Sequence, residues 1–523
     1  MPNRYIVLSI GPIYKTMLSA KRTRELWGAS YLFSWIMKQV ILRLGTKGFV
    51  NEDFIVPYVN AIPATPNGVG LFPDMLLVKC SDGHDLKEFE TALGDLKTQL
   101  TKELQAINTQ LDTPSVSKFV NDYFRFAYQA FDEDASEKPI ITAGKITSQL
   151  ELRNRVNEQG HINPIAKLLN QANNSFLSCD GFGIRNRSHP FPTLIEIATS
   201  ELKQKDTADY NTIWETHQSN PNDNKEEKKE ELFVNALAKR FESDFHNYHK
   251  YIAIVKADGD RIGRTIEGWA GDLRDFSKKL NDFGLDATKA IVNYGGVPIY
   301  LGGDDLLFFA PVNNGSSDIF TLCNTLSIDF SHQFSVEKPP TLSFGISISY
   351  YKYPLYSALE EADNLLYCAK EPDRNGIAWK VLQHSGQYFD ERLKQDEAVF
   401  EKFKALLDNP KLEKDHLKSV VNHFRHTESH LWQIIVQIPK QALNADGHEE
   451  HPRAKRIEAY FANFFNEKIH QSHKDFFSTL GELVAASLPE PNSPKETVEK
   501  ALKTIYALLR TVIFTKGYDL TDE

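Results

Sequence analysis

The chain has 523 residues, of which 41% are hydrophobic and 25% are charged. At ~150 residues per domain this length predicts three or four domains, and the ordinary composition excludes a disordered chain, a collagen and a small disulfide scaffold. The net charge of −10 argues against a generic basic nucleic-acid coat, but it is compatible with a basic groove inside an acidic protein.

Cysteine usage and hydropathy place the chain in a reducing, aqueous compartment. The longest apolar stretch, Trp27–Met37, is too short to span a bilayer, and the apolar start Tyr5–Ile10 lacks the basic segment of a signal peptide. No two cysteines form a CxxC pair, so we expect free thiols, no zinc ribbon, a cytoplasmic location and no membrane partner. The four cysteines are Cys80, Cys179, Cys323 and Cys368.

The first 113 residues alternate between strand and helix patterns. The β-branched run Tyr5–Ile10 predicts a strand, and the apolar periodicity of Lys15–Leu44 predicts one helix. Two further strands and a long amphipathic helix are then predicted: Phe54–Val59, Met75–Lys79 and Asp85–Leu111. Residues 114–245 show no strand alternation, so we predict a helical linker domain there.

The most regular pattern lies in residues 246–388, with the order βααββαβαβ. It predicts a ferredoxin-like domain with an antiparallel-cored sheet and helices on one face. Residues 389–523 are predicted to be helical to the end and to form a bundle. The elements predicted in 246–388 are strands Tyr251–Ala257, Val297–Leu301, Leu306–Ala310, Leu342–Ser349 and Ile377–Leu382, and helices Arg261–Phe283, Leu285–Tyr294, Asp318–Phe334 and Pro354–Lys370.

The strongest candidate site combines three aspartates at the ends of predicted strands. Asp258 ends a hydrophobic strand, and Asp304 and Asp305 lie in the turn of a predicted hairpin. If the two strands are neighbours, the carboxylates converge at one end of the sheet. Hard oxygen ligands at such a place suit Mg²⁺ or Mn²⁺ carrying a triphosphate.

Glycines accompany these aspartates in both turns. Gly302 and Gly303 remove side chains where the backbone must approach a phosphate, and Gly259 leaves a carbonyl free to coordinate. A polar hairpin turn without function explains the GGDD tetrapeptide equally well, since glycine and aspartate are common in turns. Asp258 and the matching topology favour the functional interpretation.

At these residues the chain resembles the GGDEF and polymerase-palm superfamily, because GGDD on a hairpin follows a strand that ends in DxD. The downstream stretch Ala369–Gly376 resembles the segment in which GGDEF cyclases hold the triphosphate. The resemblance implies that Lys370 and Arg374 bind phosphate, and their spacing would place both on one face of a helix end. By itself such a pair is more typical of a solvated helix C-terminus.

The segment Ser19–Lys38 narrows the resemblance to the large polymerase-like subunit of type III CRISPR effector complexes, Cmr subtype. The resemblance implies an α+β fold: two ferredoxin-like palm domains in residues 1–113 and 246–388, a helical linker domain and a C-terminal helical domain. It also implies that target RNA switches on synthesis of an adenylate second messenger from ATP. Other type III subunits and guide RNA are the implied partners.

The same resemblance implies roles for individual residues. Asp258, Asp304 and Asp305 would be catalytic and, with Gly259, would hold the metal ions. The implied nucleotide-binding residues are Gly259, Asp260, Gly263, Gly302, Gly303, Lys370 and Arg374.

Several features depart from the family pattern. Because the first palm begins at Tyr5, we expect no HD nuclease domain before it, and we interpret His84-Asp85 as a chance dipeptide. The dispersed cysteines predict no zinc. Four histidines fall on one arc of a predicted C-terminal helix, which is more typical of a solvated or interface face than of a metal or RNA site: His416, His423, His426 and His430.

Two alternatives from other classes stay open. A free-standing cyclase that makes a cyclic dinucleotide would also use GGDD and Lys370, but it should homodimerise through its palms. A catalytically silent scaffold subunit is disfavoured by the intact residues Asp258, Asp304, Asp305 and Lys370. The sequence does not distinguish cyclic oligoadenylate from another AMP conjugate as the product, because the catalytic residues would be alike.

Overall fold

The computed structural model describes residues 3–60, 69–80, 86–152, 163–172, 175–177, 191–218, 226–409, 417–418, 421, 438, 442–443, 449–450, 452–462, 474–490 and 493–518. The strands are β1 (Arg4–Gly11), β2 (Phe54–Val56), β3 (Met75–Cys80), β4 (Arg125–Asp132), β5 (Tyr251–Asp260), β6 (Val297–Gly302), β7 (Asp305–Pro311), β8 (Thr341–Tyr350), β9 (Gly376–Leu382), β10 (Tyr388–Lys394), β11 (Ala442–Leu443) and β12 (Glu449–Glu450).

The helices are α1 (Ile13–Leu18), α2 (Thr23–Thr46), α3 (Leu86–Ile107), α4 (Thr113–Tyr123), α5 (Pro139–Leu152), α6 (Pro164–Asn170), α7 (Leu194–Ala198), α8 (Ser200–Lys205), α9 (Thr207–Gln218), α10 (Glu226–Phe241), α11 (Ile262–Gly268), α12 (Leu273–Tyr294), α13 (Ile319–His332), α14 (Leu355–Lys370), α15 (Ala398–Leu407), α16 (Pro452–Ala462), α17 (Lys474–Ser487) and α18 (Lys495–Thr515). Short 3₁₀ turns cover Asn51–Asp53, Glu242–Asp244 and Asn247–Lys250. No helix in the described part of the chain is long and apolar enough to cross a membrane.

The first sheet has the antiparallel order β2-β3-β1-β4, which with α2 and α3 makes a ferredoxin-like domain. Alternate residues of β1 face opposite sides, because side chains of a strand alternate across the sheet. Ile6 and Leu8 pack in the core with α2 and α3, whereas Tyr5 and Val7 pack with α5. The first domain is therefore covered by helices on both faces of its sheet.

Two predictions for this part of the chain were wrong. Strand β4 pairs with β1 along its whole length, so the first domain continues past the boundary drawn at residue 113, and residues 114–245 are not wholly helical. The helix predicted over Lys15–Leu44 is two helices, α1 and α2, separated at residues 19–22. Strand β4 was missed because its aromatic residues are only half-buried at a sheet edge, which gives a weak alternation.

The second sheet has the order β10-β9-β8-β5-β7-β6. Its last four strands, β8-β5-β7-β6, repeat the ferredoxin-like arrangement. Every pairing is antiparallel except β8 with β9, which α14 connects by a crossover. Val255 and Phe308 pack with α12 and α13 on one face, while Ile254 and Phe309 pack on the other face in the core that contains α14. The prediction that helices cover only one face was therefore wrong.

The prediction of helix throughout residues 389–523 was also wrong at its start. Residues 388–394 form β10, the sixth strand, which pairs with β9 and packs Phe389 and Leu393 inward. The helix α18 lies against this strand, and Trp379 donates a hydrogen bond of 3.0 Å from Nε1 to Thr511 Oγ1. The C-terminal helices thus extend the core of the second domain.

The two ferredoxin-like domains share one core through α2. This helix is buried nearly all round, because its two sides face two different sheets. Two hydrogen bonds between the domains add to the packing. Leu301 N donates to Gly70 O at 2.9 Å, and the side-chain Oγ of Ser30 donates to Ile299 O at 3.2 Å. Strand β6, which leads into the GGDD turn, is therefore held directly by the first domain.

Substituting Gly345 by alanine should destabilise this arrangement. An added Cβ would lie 2.3 Å from both Ala362 O and Leu366 N, so β8 and α14 would have to separate. We expect a loss of about 1–3 kcal/mol in the free energy of unfolding, measured by chemical denaturation. Gly94→Ala is the matched control: its Cβ would meet nothing within 4 Å, and helix propensity predicts a gain of about 0.5–1 kcal/mol. Equal stability of G345A and wild type would contradict the packing.

Candidate active site

The GGDD turn joins β6 to β7 and brings the predicted aspartates together. Gly302 pairs with Asp305 across the turn, and Gly303 has a φ of +74°, a conformation that favours glycine. Strand β5 lies beside β7 with Ala257 opposite Leu306. By the same register Asp258 lies opposite Asp305, which is the convergence that the sequence predicted.

Gly259 allows the close approach of Asp304. A Cβ at Gly259 would lie 2.7 Å from Asp304 Oδ2 and 2.7 Å from its Cβ. Because real atoms do not approach so closely, any side chain at this position would displace the carboxylate. The glycine is therefore required by the site geometry, and not only by the turn.

The carboxylates repel one another strongly. Burial and the neighbouring Asp258 raise the pKa of Asp304 to about 7, and the positive charge of Lys370 only partly opposes this shift. Burial in the cleft, followed by the charges of Asp304 and Asp258, raises the pKa of Asp305 well above its usual range. Such crowding is unfavourable unless a cation is bound between the groups.

Lys370 forms an ion pair with Asp258 across the gap between α14 and β5. Together with Arg374 it lines a cavity of about 520 Å³, here called the cationic cavity. The other wall is formed by Asp258, Gly259 and residues 261–264, which include Arg261 and Arg264. The cavity therefore combines four basic side chains with one edge of the carboxylate cluster. This composition suits a polyphosphate.

The prediction that Lys370 and Arg374 lie on one helix face was wrong, because α14 ends at Lys370. Arg374 lies in the following loop with a φ of +65°, and its backbone N–H donates to Lys370 O at 3.1 Å. The loop folds back so that both side chains reach the cationic cavity. The two side chains therefore line the same cavity, for a reason other than a shared helix face, and their binding of phosphate stays a prediction.

Asp260 does not face the cluster as a ligand. It is buried, and its carboxylate accepts hydrogen bonds from Thr341 Oγ1 at 2.8 Å, from Ser343 Oγ at 2.9 Å and from the Asn375 N–H at 2.9 Å. Asp260 therefore positions the loop that carries Arg374. The prediction that Asp260 contacts nucleotide does not fit this geometry.

A larger cavity of about 810 Å³ lies between the two ferredoxin-like domains and is here called the inter-domain cavity. Gly263 and the whole GGDD turn line its second-domain wall, and a Cβ at Gly263 would meet nothing within 4 Å. Tyr58 and Lys145 are among the residues on the opposite wall. The aspartates thus lie where the cationic cavity and the inter-domain cavity meet.

Asp74 is a residue of this cleft that sequence reasoning missed. It precedes β3 in the first domain, lines the inter-domain cavity and adds its charge to the repulsion on Asp305. Asp74 immediately precedes the last register pair of β1 with β3, Ser9–Met75, as Asp305 precedes the last register pair of β5 with β7, Ala257–Leu306. The two aspartates thus hold similar places at the ends of their strand pairs. An alignment of the two halves of the chain on their strand order could have revealed it.

The other predicted features either lie away from this site or fall outside the described residues. Cys323 and Cys368 are free thiols, Cys80 ends β3 away from the aspartates, and Cys179 lies outside the described residues. His84-Asp85 and the four histidines lie outside them as well: His416, His423, His426 and His430. Within the described part of the chain, no three acidic, histidine or cysteine side chains already surround a common metal position.

Comparison with known families matches both ferredoxin-like domains. The family described as "Cas10/Cmr2, second palm domain" matches residues 251–378, and "CRISPR-associated protein Cmr2, N-terminal" matches residues 5–115. A curated relative, the "CRISPR system Cmr subunit Cmr2" of Pyrococcus furiosus, is 30% identical over 215 residues, a match that covers 34% of this chain. The match spans about a quarter of that relative, 24% of its length.

Solved structures share the fold at low sequence identity. The type III-B Cmr-beta structure in its apo state has a TM-score of 0.54 at 10% identity and covers 83% of this chain and 76% of its own. The Cmr-beta structure bound to cognate target RNA has a TM-score of 0.54 at 11% identity, with 99% and 83% covered. The Csm1-Csm4 cassette in complex with cA4 has a TM-score of 0.50 at 10% identity, with 98% and 70% covered.

The matches coincide with the architecture seen here, since each family falls on one of the two ferredoxin-like domains and the GGDD hairpin lies within the second-palm match. On these grounds the chain is similar to Cas10/Cmr2 proteins over residues 5–115 and 251–378, which lie in its two ferredoxin-like domains.

Proposed function

We propose that the chain is a metal-dependent nucleotidyltransferase that uses ATP and makes an adenylate messenger, cyclic oligoadenylate or another AMP conjugate. The observation that carries the proposal is the convergence of Asp258, Asp304 and Asp305 beside a cavity walled by Lys370 and Arg374. Carboxylates flanked by basic groups are the arrangement that metal-assisted phosphoryl transfer needs.

The donor set fits Mg²⁺ or Mn²⁺. The aspartates supply hard oxygens, and burial followed by the charge of Asp258 raises the pKa of Asp304 to about 7, an effect that a bound divalent cation would offset. Asp258, Asp304 and Asp305 would hold the metal, with the Gly259 carbonyl beside them. When bound, the metal would lower the pKa of an attacking hydroxyl and stabilise the charge on the leaving pyrophosphate. Lys370 would then exchange its contact with Asp258 for one with phosphate.

The chain's own residues account for binding and orientation of ATP. Lys370 and Arg374 neutralise the triphosphate in the cationic cavity, and Asp260 holds the Arg374 loop in place through the Asn375 N–H. An acceptor oxygen forms a bond to the α-phosphorus of ATP, the bond to the β-phosphate breaks, and pyrophosphate leaves. The inter-domain cavity, on the other side of the aspartates, has room for the acceptor.

We place the activity in a type III-B complex in which other subunits, guide RNA and target RNA control it. Support comes from the relatives, which are described as a Cmr subunit, a Cmr-beta assembly bound to cognate target RNA, and a Csm1-Csm4 cassette with cA4. The net charge of −10 gives the lone chain no long-range attraction for RNA. Other, more basic subunits would therefore hold most of the RNA.

The proposal predicts that product forms from ATP and Mg²⁺ when the complex holds guide and target RNA. Asp304→Ala with Asp305→Ala should abolish product, a loss of ~10³-fold or more, because the metal ligands are removed. The readout is mass spectrometry of products, with circular dichroism to verify folding. Asp286→Ala, which removes an exposed carboxylate of the same domain, should retain activity. Product from the folded double variant would refute the site, and full activity of the lone chain without RNA would favour the free-standing cyclase.

The raised pKa of Asp304 predicts a pH effect on stability. Because the folded state holds the proton up to about pH 7 and the unfolded state releases it near pH 4, stability without metal should fall between these values. Asp304→Asn removes that ionisation, so we expect its Tm at pH 8 to exceed the wild-type Tm by about 2 °C. Mg²⁺ should raise the Tm of wild type only. A variant less stable than wild type at pH 8 would contradict the repulsion.

Lys370→Ala and Arg374→Ala should weaken the use of ATP more than they alter stability. Each removes a charge that faces the triphosphate, and each charge-assisted contact is worth about 1.5–3 kcal/mol, or roughly tenfold to a hundredfold in kcat/KM. Lys289→Ala, an exposed lysine of α12 paired with Asp286, is the control. Unchanged kinetics for both variants would confine the site to the carboxylates.

A further inference from the structure

The two walls of the cationic cavity belong to different elements of the second domain. One wall is the start of α11, with Arg261 and Gly263, and the other is the end of α14, with Lys370 and the loop beyond it. Affinity for a polyphosphate depends on the separation of these walls, since the basic groups must reach the same anion. Whatever holds α11 and α14 in place therefore controls the cavity.

The first domain contacts α11 at the end that lies away from the cationic cavity. Lys138, immediately before α5, donates from Nζ to Ile266 O at 2.7 Å and also contacts Trp269 O. These carbonyls lie at the C-terminus of α11, where helical carbonyls lack partners within the helix and a positive charge is favourable. Because α11 has only seven residues, a displacement at this end moves its start as well.

The first domain also contacts α14. Tyr14 of α1 donates from its hydroxyl to Asp363 Oδ2 at 3.0 Å. Asp363 forms an ion pair with Lys256 of β5, and the Lys256 Nζ lies 5.3 Å from the centroid of the Tyr14 ring. Asp363 precedes Lys370 by two helical turns on the same helix face, so the contact fixes the rigid helix that presents Lys370.

We propose that Lys138 and Tyr14 are positioning residues through which the first domain sets the width of the cationic cavity in the second domain. Neither reaches the cavity itself, and each contacts the opposite end or the middle of an element that forms one wall. A shift between the two domains would open or close the cavity through both contacts. The inference rests on the proposed function, because it takes a nucleotide triphosphate as the occupant.

The test is calorimetric titration of the full chain with Mg²⁺ and α,β-methylene-ATP, which binds without reacting. Lys138→Met should raise the Kd by about fivefold to tenfold, and Tyr14→Phe by about twofold to threefold because its contact is more exposed. Lys138→Arg should restore most of the affinity, since a guanidinium can donate to the same two carbonyls.

Matched controls separate positioning from general stability. Lys516→Met removes a lysine that donates to Asn409 O at 3.2 Å in the C-terminal region, and Tyr128→Phe removes a hydroxyl that donates to Glu90 Oε1 at 3.0 Å within the first domain. Both should keep the wild-type Kd. Equal binding by wild type and K138M, or equal weakening in K516M, would overturn the inference alone. No binding by wild type would overturn the proposed function and the inference with it.

Discussion

Repulsion among carboxylates at the end of β5 and β7 is the interaction on which the rest of the site depends. Burial together with the neighbouring charge of Asp258 raises the pKa of Asp304 to about 7. A protein tolerates such crowding only if its fold fixes the groups independently of their mutual charge. The hairpin register, the missing side chain at Gly259 and the ion pair to Lys370 provide that support.

The two ferredoxin-like domains have the same architecture but differ in the carboxylates that lie at the ends of their strands. In the second domain, β5 ends with Asp258-Gly259-Asp260, whereas β1 of the first domain ends with Ile10 and Gly11. Asp74, immediately before β3, is the carboxylate that the first domain places in the cleft. One domain therefore carries the carboxylates proposed to bind metal, and the other supplies a wall of the cleft, one additional negative charge and contacts that hold the site in place.

Much of this site could be predicted from the sequence because its chemistry is local. Asp258 and the GGDD turn each sit at the end of a strongly apolar strand, and a hairpin brings such ends together over a short range. The role of Lys370 was inferred from a resemblance, but the position of Arg374 beside it could not be predicted. The loop that folds Arg374 back towards Lys370 has a left-handed backbone. No periodic pattern encodes a residue of that kind.

The features that could not be predicted are those set by tertiary contacts. The alternation of polar and apolar residues in β4 is weak because it is an edge strand. The sequence of β10 has a mostly polar pattern because only two of its side chains face inward. Asp260 belongs to the same DxD motif as Asp258, yet the strand directs it inward to Thr341 and Ser343. Spacing alone does not separate a ligand from a structural carboxylate when both follow the same strand.

A site built between two domains needs its parts held from both sides. Strand β6 is bonded to the first domain through Leu301 and Ile299. The basic groups proposed to bind phosphate lie at the end of α14 and beside α11, and both helices also contact the first domain, through Tyr14 and Lys138. Alignment of the carboxylates with the triphosphate is then a property of the domain interface. A partner that changes the relative placement of the domains can therefore control the reaction without touching the reacting groups, provided that it binds the two placements unequally.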